Sequence, residues 1–204
     1  MSLPKLLLEK ILSGLLPNEI TEGDDLITRP GQKNASVLVP LVMRKQPNII
    51  LTKRPDTMLE HAGQIAFPGG KREEGESALD AALRETQEEI GISAKDINVI
   101  GRLPSFNAAS NYRITPFVGI IDPGANIIPD SREVDDVFEV RLDYLMNSAN
   151  HIARDVTYKD KKFTIFDMPY KSLDGKVRNI WGMTAMIIYR LYQRSFLKVF
   201  ETDY

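Results

Sequence analysis

The clearest hydrophobic periodicity in the chain runs from Ser77 to Ile90, where Leu79, Leu83, Thr86 and Ile90 recur at i, i+4, i+7 and i+11. That spacing predicts an amphipathic helix. Ser77 with Asp80 three residues on supplies a capping box, and Gly91 supplies a stop. Weaker patterns predict two terminal helices, one from about Pro4 to Leu15 and one from about Trp181 to Phe196, with Trp181 packing the last helix on the sheet. Between them the pattern changes to short apolar runs. ASVLVPLVMR (35–44) and PNIILTKR (47–54) read as a hairpin, in which Pro40 points to an edge strand or a bulge. QIAF (64–67) reads as a short strand ending at Pro68-Gly69-Gly70. NVIGRLPSF, RITPFVGII and VFEVRL follow as strands, a short helix after the last, and residues 156–168 as a second hairpin turning at Lys159-Asp160. This order fits an α/β fold with a central mixed β-sheet and helices on both faces. No repeat or low-complexity linker divides the sequence, so a single domain over residues 1–204 is expected.

Composition narrows the chemistry. Lys and Arg number 26 against 28 Asp and Glu, a formal net charge of −2, which excludes a strongly basic nucleic-acid binder. There is no cysteine, so disulfide frameworks, thiolate nucleophiles and cysteine-built metal centres are excluded as well. His61 and His151 are the only histidines, and any metal must therefore be carried by carboxylates. No apolar run reaches the roughly 20 residues of a membrane helix, so a cytoplasmic protein without a membrane partner is expected.

The carboxylates are unusually placed. Glu85, Glu88 and Glu89 stand at i, i+3 and i+4 on one face of the predicted central helix, opposite or beside its apolar stripe. Like charges at that spacing repel, and the negative end of the helix dipole disfavours them further. Arg84 relieves part of this by reaching Glu88. A divalent cation between the carboxylates reverses every one of these terms, and hard oxygen ligands suit Mg²⁺ or Mn²⁺. Ahead of the helix, Gly69 and Gly70 permit close backbone approach to a bound group, and Glu76 is placed to fold back toward the acidic face. Neither a P-loop nor a dinucleotide fingerprint is present.

Gly70, five residues, Glu76, seven residues, Arg84-Glu85, two residues, Glu88-Glu89, one residue and Gly91 together resemble the Nudix box. Seven fixed residue types match, and at average usage a chance match at one start position is on the order of 10⁻⁸. Upstream, Leu51-Thr52-x-Arg54, Gly63 and Phe67-Pro68-Gly69-Gly70 are similar to the signature of the coenzyme A pyrophosphatase branch, with Gln64-Ile65-Ala66 and His61 also typical. Leu103-Pro104-Ser105, Thr115-Pro116-Phe117-Val118-Gly119 and Trp181-Gly182-x-Thr184-Ala185 are further landmarks, so the resemblance spans most of residues 35–195. Pro55 and Leu59 depart from the signature in the loop expected near the nucleotide end of the substrate.

The resemblance implies the Nudix α/β/α sandwich and hydrolysis of coenzyme A or an acyl-coenzyme A at its pyrophosphate with Mg²⁺ or Mn²⁺. The products are 3′,5′-ADP and 4′-phosphopantetheine or its acyl form. It assigns Glu85, Glu88 and Glu89 as metal ligands, Arg84 as the residue that orients them, and Glu76 and His61 as supporting residues. Arg54, Gly69, Gly70 and Lys71 are the expected substrate contacts, with Arg54 reading the 3′-phosphate away from the attacked bond. The general base is expected either from the acidic loop of Glu133, Asp135 and Asp136 or from the box itself, with Glu88 or Glu89 serving as ligand and base together. The alternatives are a Nudix pyrophosphatase acting on NADH, ADP-ribose or a related compound, and a non-catalytic binding protein, which the complete glutamate set argues against. Monomer or homodimer is left open.

Overall fold

In the computed structural model the described residues are 3–19, 29–58, 61–108, 111–158, 160–172 and 174–199. The main sheet is mixed. Its spine is β3 (Ile65–Ala66), β2 (Pro47–Lys53), β1 (Lys33–Met43), β7 (Tyr112–Ile121) and β5 (Ile97–Arg102), in that spatial order. β4 (Gly69–Lys71) pairs with β1, β6 (Phe106–Asn107) with β7, and β8 (Asp136–Arg141) with β2. β1 and β7 run parallel over Lys33–Val42 and Tyr112–Ile121, and the other pairs are antiparallel.

Alternation along these strands divides the core into two layers. Leu38, Ile50, Phe117 and Ile121 pack toward α2 (Ala78–Ile90) on one face. Val39, Leu41, Leu51 and Val118 pack on the other, toward α4 (Gly182–Tyr192), with Ile11 of α1 (Leu3–Leu12) in the same cluster. The result is the α/β/α sandwich that the sequence leads one to expect.

Five expectations need correction. Pro40 lies in the centre of the sheet, not at an edge. Leu38 donates its N–H to the Pro68 carbonyl at 2.9 Å, and Pro40, two residues on, faces the same side. There β4 has ended at Val37 and β2 begins at Leu41, so the missing proline N–H falls in the interval between two partners. The second hairpin is longer, β9 (Ile152–Tyr158) and β10 (Lys161–Lys171), and it continues into β11 (Val177–Trp181) as a separate three-stranded antiparallel sheet. β11 escapes a hydrophobicity reading because its inward residues are Arg178 and Ile180 while Val177 and Trp181 face out. Arg178 is buried by pairing with Asp136 at 2.6 Å and Asp174 at 2.8 Å and lying 4.4 Å over the Phe138 ring. Trp181 therefore ends a strand and is 40% exposed, not packed beneath the last helix. The N-terminal helix ends earlier than expected, at Leu12, whereas α4 continues as a π-helical turn over Gln193–Leu197 and so reaches the expected end.

The fifth correction concerns α2. Ser77 caps it by accepting from the Asp80 N–H, and Gly91 ends it in the left-handed region at φ 72°. Its buried face is Ala78, Ala81, Ala82, Thr86, Glu89 and Ile90, whereas Leu79 and Leu83 are only half-buried. Alanines bring the helix axis close to the sheet and turn the glutamates toward it. Residues 128–134 close the end of the helix, with Ile128 N–H donating to the Ile90 carbonyl and Asp130 N–H to that of Glu89.

The β3–β4 connection is seated just as tightly. Gly69 has φ 152°, and a Cβ there would lie 2.4 Å from the Ser36 carbonyl oxygen and 2.6 Å from Val37 Cα. Gly69→Ala combines backbone strain with overpacking against β1, and a loss of about 3 kcal/mol in urea unfolding is expected. Unchanged stability would show that β1 and β4 do not pack as described.

Candidate active site

Arg84 is the centre of the acidic cluster. Its Nε and Nη2 donate to the two oxygens of Glu76 at 2.8 and 3.2 Å. Nη1 donates to Glu85 at 3.0 Å and Glu88 at 2.8 Å, and Nη2 also to the Lys71 carbonyl at 3.1 Å. The paired bonds hold the Glu76 carboxyl below its usual range, and the carboxylates in turn raise the pKa of Arg84. Glu76 thus folds back onto the helix face as its position suggests, bonded as well to the Glu73 N–H at 3.0 Å.

The three box glutamates differ in environment. Glu88 is half-exposed, at 53% of its side chain, and Glu85 is mostly covered at 15%. Glu89 is buried at 4% and belongs to the core-facing side of the helix, not to a face opposite the apolar stripe. Burial drives its pKa up to about 8, opposed by Arg54 and reinforced by Glu85 and Glu133. Burial also raises the pKa of Glu85, with Arg84 pulling the other way.

Gly70 explains how Glu85 reaches the strand. A Cβ on Gly70 would lie 2.5 Å from the Glu85 carboxyl atoms. The sequence reading has the glycine pair clearing space for a ligand. In the fold, Gly69 clears space for β1 and Gly70 clears it for a carboxylate of α2. Lys71 contributes its carbonyl to Arg84 and exposes its side chain. His61 is exposed, adopts φ 58° and bonds Gln64 through Nδ1 at 2.9 Å, which shapes the loop ahead of β3.

Arg54 is the main surprise among the expected residues. Its Nη1 lies 4.0 Å from Glu89 Oε1, so the guanidinium stands beside the helix carboxylates. Sequence reading misses this contact because Arg54 and Glu89 are far apart in the chain and meet only through the packing of α2 on the sheet. Of the acidic loop, Glu133 acts electrostatically on both Glu85 and Glu89. Asp135 is held by Lys53 at 3.0 Å and Asp136 by Arg178, so neither shares that position. Leu59 lies outside the described residues.

Among the described residues no three acidic or imidazole side chains converge as a ready-made cage, because Arg84 stands between Glu76, Glu85 and Glu88. The donor set nevertheless fits a hard cation. Glu89 Oε2 is buried without a hydrogen-bond partner, beside a second carboxylate shielded from water. An unpartnered buried carboxylate oxygen is destabilising, and a divalent cation is the partner that both oxygens suit.

The NUDIX domain model matches residues 32–160. The uncharacterized Nudix hydrolase NudL of Photorhabdus laumondii is 34% identical over 163 residues, covering 79% of this chain and 84% of that protein. NudL of Yersinia pestis strain Pestoides F is 34% identical over 163 residues, covering 79% of each chain. Among solved structures, a MutT/nudix family protein from Enterococcus faecalis superposes with a TM-score of 0.55 at 20% identity, over 95% of this chain and 69% of that one. No described helix is long and apolar enough to cross a membrane. A box whose arginine gathers its own glutamates, on an α/β/α sandwich matched along most of its length, leaves one conclusion: the chain belongs to the Nudix hydrolases, which cleave nucleoside diphosphate derivatives with divalent metals such as Mg²⁺ or Mn²⁺.

Proposed function

We propose that this chain hydrolyses the pyrophosphate of coenzyme A or an acyl-coenzyme A. The observation that carries the reading is the meeting of Arg54 with Glu89. Arg54 belongs to Leu51-Thr52-x-Arg54, part of the upstream signature that resembles the coenzyme A branch, and its guanidinium lies at the box itself. The products are 3′,5′-ADP and 4′-phosphopantetheine or its acyl form.

Glu85, Glu88 and Glu89 would hold Mg²⁺ or Mn²⁺, which would supply charge neutralisation at the pyrophosphate and activation of the attacking water. Arg84 orients Glu85 and Glu88 and is itself fixed by Glu76. Arg54 offers a fork of donors to the pyrophosphate as charge moves onto the leaving phosphate. The Gly69–Lys71 segment lines the approach, with the Lys71 ammonium available to phosphate oxygens, and His61 braces the loop. Water adds to one phosphorus, the bridging P–O bond breaks, and Glu133 accepts the proton as general base. Pro55, beside Arg54, favours a related nucleoside diphosphate such as NADH or ADP-ribose as the second reading.

Incubation with coenzyme A, NADH and ADP-ribose in Mg²⁺ or Mn²⁺, followed by mass-resolved product analysis, tests the assignment. Release of 3′,5′-ADP at the highest kcat/KM is expected, and preference for NADH or ADP-ribose rejects it. Glu89→Gln should lower metal-dependent kcat/KM about 100-fold while folding at least as stably in metal-free buffer, because the amide is neutral at a site where burial already disfavours the charged carboxylate. Full activity in the variant contradicts a ligand role. Arg54→Ala should lower kcat/KM about 10- to 100-fold, equally for coenzyme A and dephospho-coenzyme A, since the guanidinium faces Glu89. A selective loss on coenzyme A would return Arg54 to the 3′-phosphate.

A further inference from the structure

Alternation along β2 sends Ile50, Thr52 and Arg54 toward α2 and Leu51 and Lys53 toward α4. On the Lys53 side a second cleft opens between the end of β2, β3 and β11. Its volume is about 610 Å³, within the range that holds nucleotide-sized ligands. Lys53, Asp135, Lys176, Asn179 and Trp181 are among its walls.

We infer that this cleft is a purine-nucleotide subsite, in which the base stacks on Trp181 and a ribose phosphate meets Lys176. The inference rests on the pyrophosphatase reading for its connection to the reaction. Trp181 is 40% exposed at the cleft, although a tryptophan ordinarily buries most of its large apolar surface. Every nucleobase has a face that stacks on such a ring. Charged and polar side chains outnumber apolar ones along the walls, which suits a nucleotide and opposes an acyl chain.

The other cations of the cleft are already committed. Lys53 bonds Asp56 and Asp135, each at 3.0 Å, and Arg178 bonds Asp136 and Asp174. Lys176 makes no close ion pair among the described residues and is exposed, its charge felt at longer range by Asp174, which Arg178 already binds, so its ammonium is the group left to meet an incoming phosphate. Asn179 donates its amide to Asp167 at 3.0 Å, which leaves its carbonyl oxygen as an acceptor for an exocyclic amine.

One loop reaches both the cleft and the glutamates. Residues 130–136 border both, Glu133 acting on Glu85 and Glu89 while Asp135 lies in the cleft wall.

Trp181 is the only tryptophan of the chain, so its fluorescence reports on the cleft without reference to turnover. The wild-type protein is titrated in Mg²⁺ with AMP, 3′,5′-ADP and 4′-phosphopantetheine, with excitation at the red edge of the indole band. Both adenine nucleotides should quench saturably, and 4′-phosphopantetheine should not. Lys176→Ala should weaken 3′,5′-ADP about tenfold and AMP less. In turnover, Trp181→Leu should raise KM for coenzyme A about tenfold with kcat little changed. Quenching by 4′-phosphopantetheine alone, or no response to either adenine nucleotide in an enzyme that turns over coenzyme A, overturns the inference. If adenine nucleotides quench but coenzyme A is not hydrolysed, the cleft stands and the substrate assignment falls.

Discussion

Four carboxylates gathered on one side of α2 share two guanidinium groups, and the rest of the site is arranged around that imbalance. Arg84 bonds Glu76, Glu85 and Glu88, and Arg54 faces Glu89 from β2. Left to electrostatics alone, such a cluster sits badly near the negative end of a helix, and worse when one member is buried. A divalent cation turns the same crowding into affinity. The network around Arg84 holds side chains in place before a cation or substrate arrives, which reduces the ordering that binding must supply.

Small residues make this arrangement sterically available. Ala78, Ala81 and Ala82 let α2 lie close on the sheet, and Gly70 leaves room for the Glu85 carboxyl beside β4. Gly69 seats the same short strand against β1. The carboxylates therefore hang from a rigid helix and face a rigid strand. The contacts of residues 128–134 with the last turn of α2 fix where Glu133 approaches them.

Much of this was legible in the sequence where one residue type has one local use. Ser77 and Gly91 mark the ends of α2, and the box spacing identifies Arg84 and its glutamates before any fold is known. What was hidden depends on volume and on distant partners. Leu79 and Leu83 look like the core stripe, yet alanines sit deeper because the sheet leaves them no space. β11 is disguised by Arg178, whose burial is possible only through Asp136 and Asp174. Pro40 looks like an edge residue because the change of partner from β4 to β2 cannot be read locally. The contact of Arg54 with Glu89, and the exposure of Trp181 at a cleft, are likewise products of tertiary register.

The central claim is that the α2 carboxylates form a divalent-cation site. Urea unfolding of the wild type and of Glu85→Gln, each with and without Mn²⁺, tests it independently of any substrate. Binding to the folded state alone stabilises it by about 2.7 kcal/mol when free Mn²⁺ is about 100 times the dissociation constant. The account predicts that gain for the wild type and its loss in Glu85→Gln. Equal stabilisation of both proteins, or none of the wild type, would contradict it.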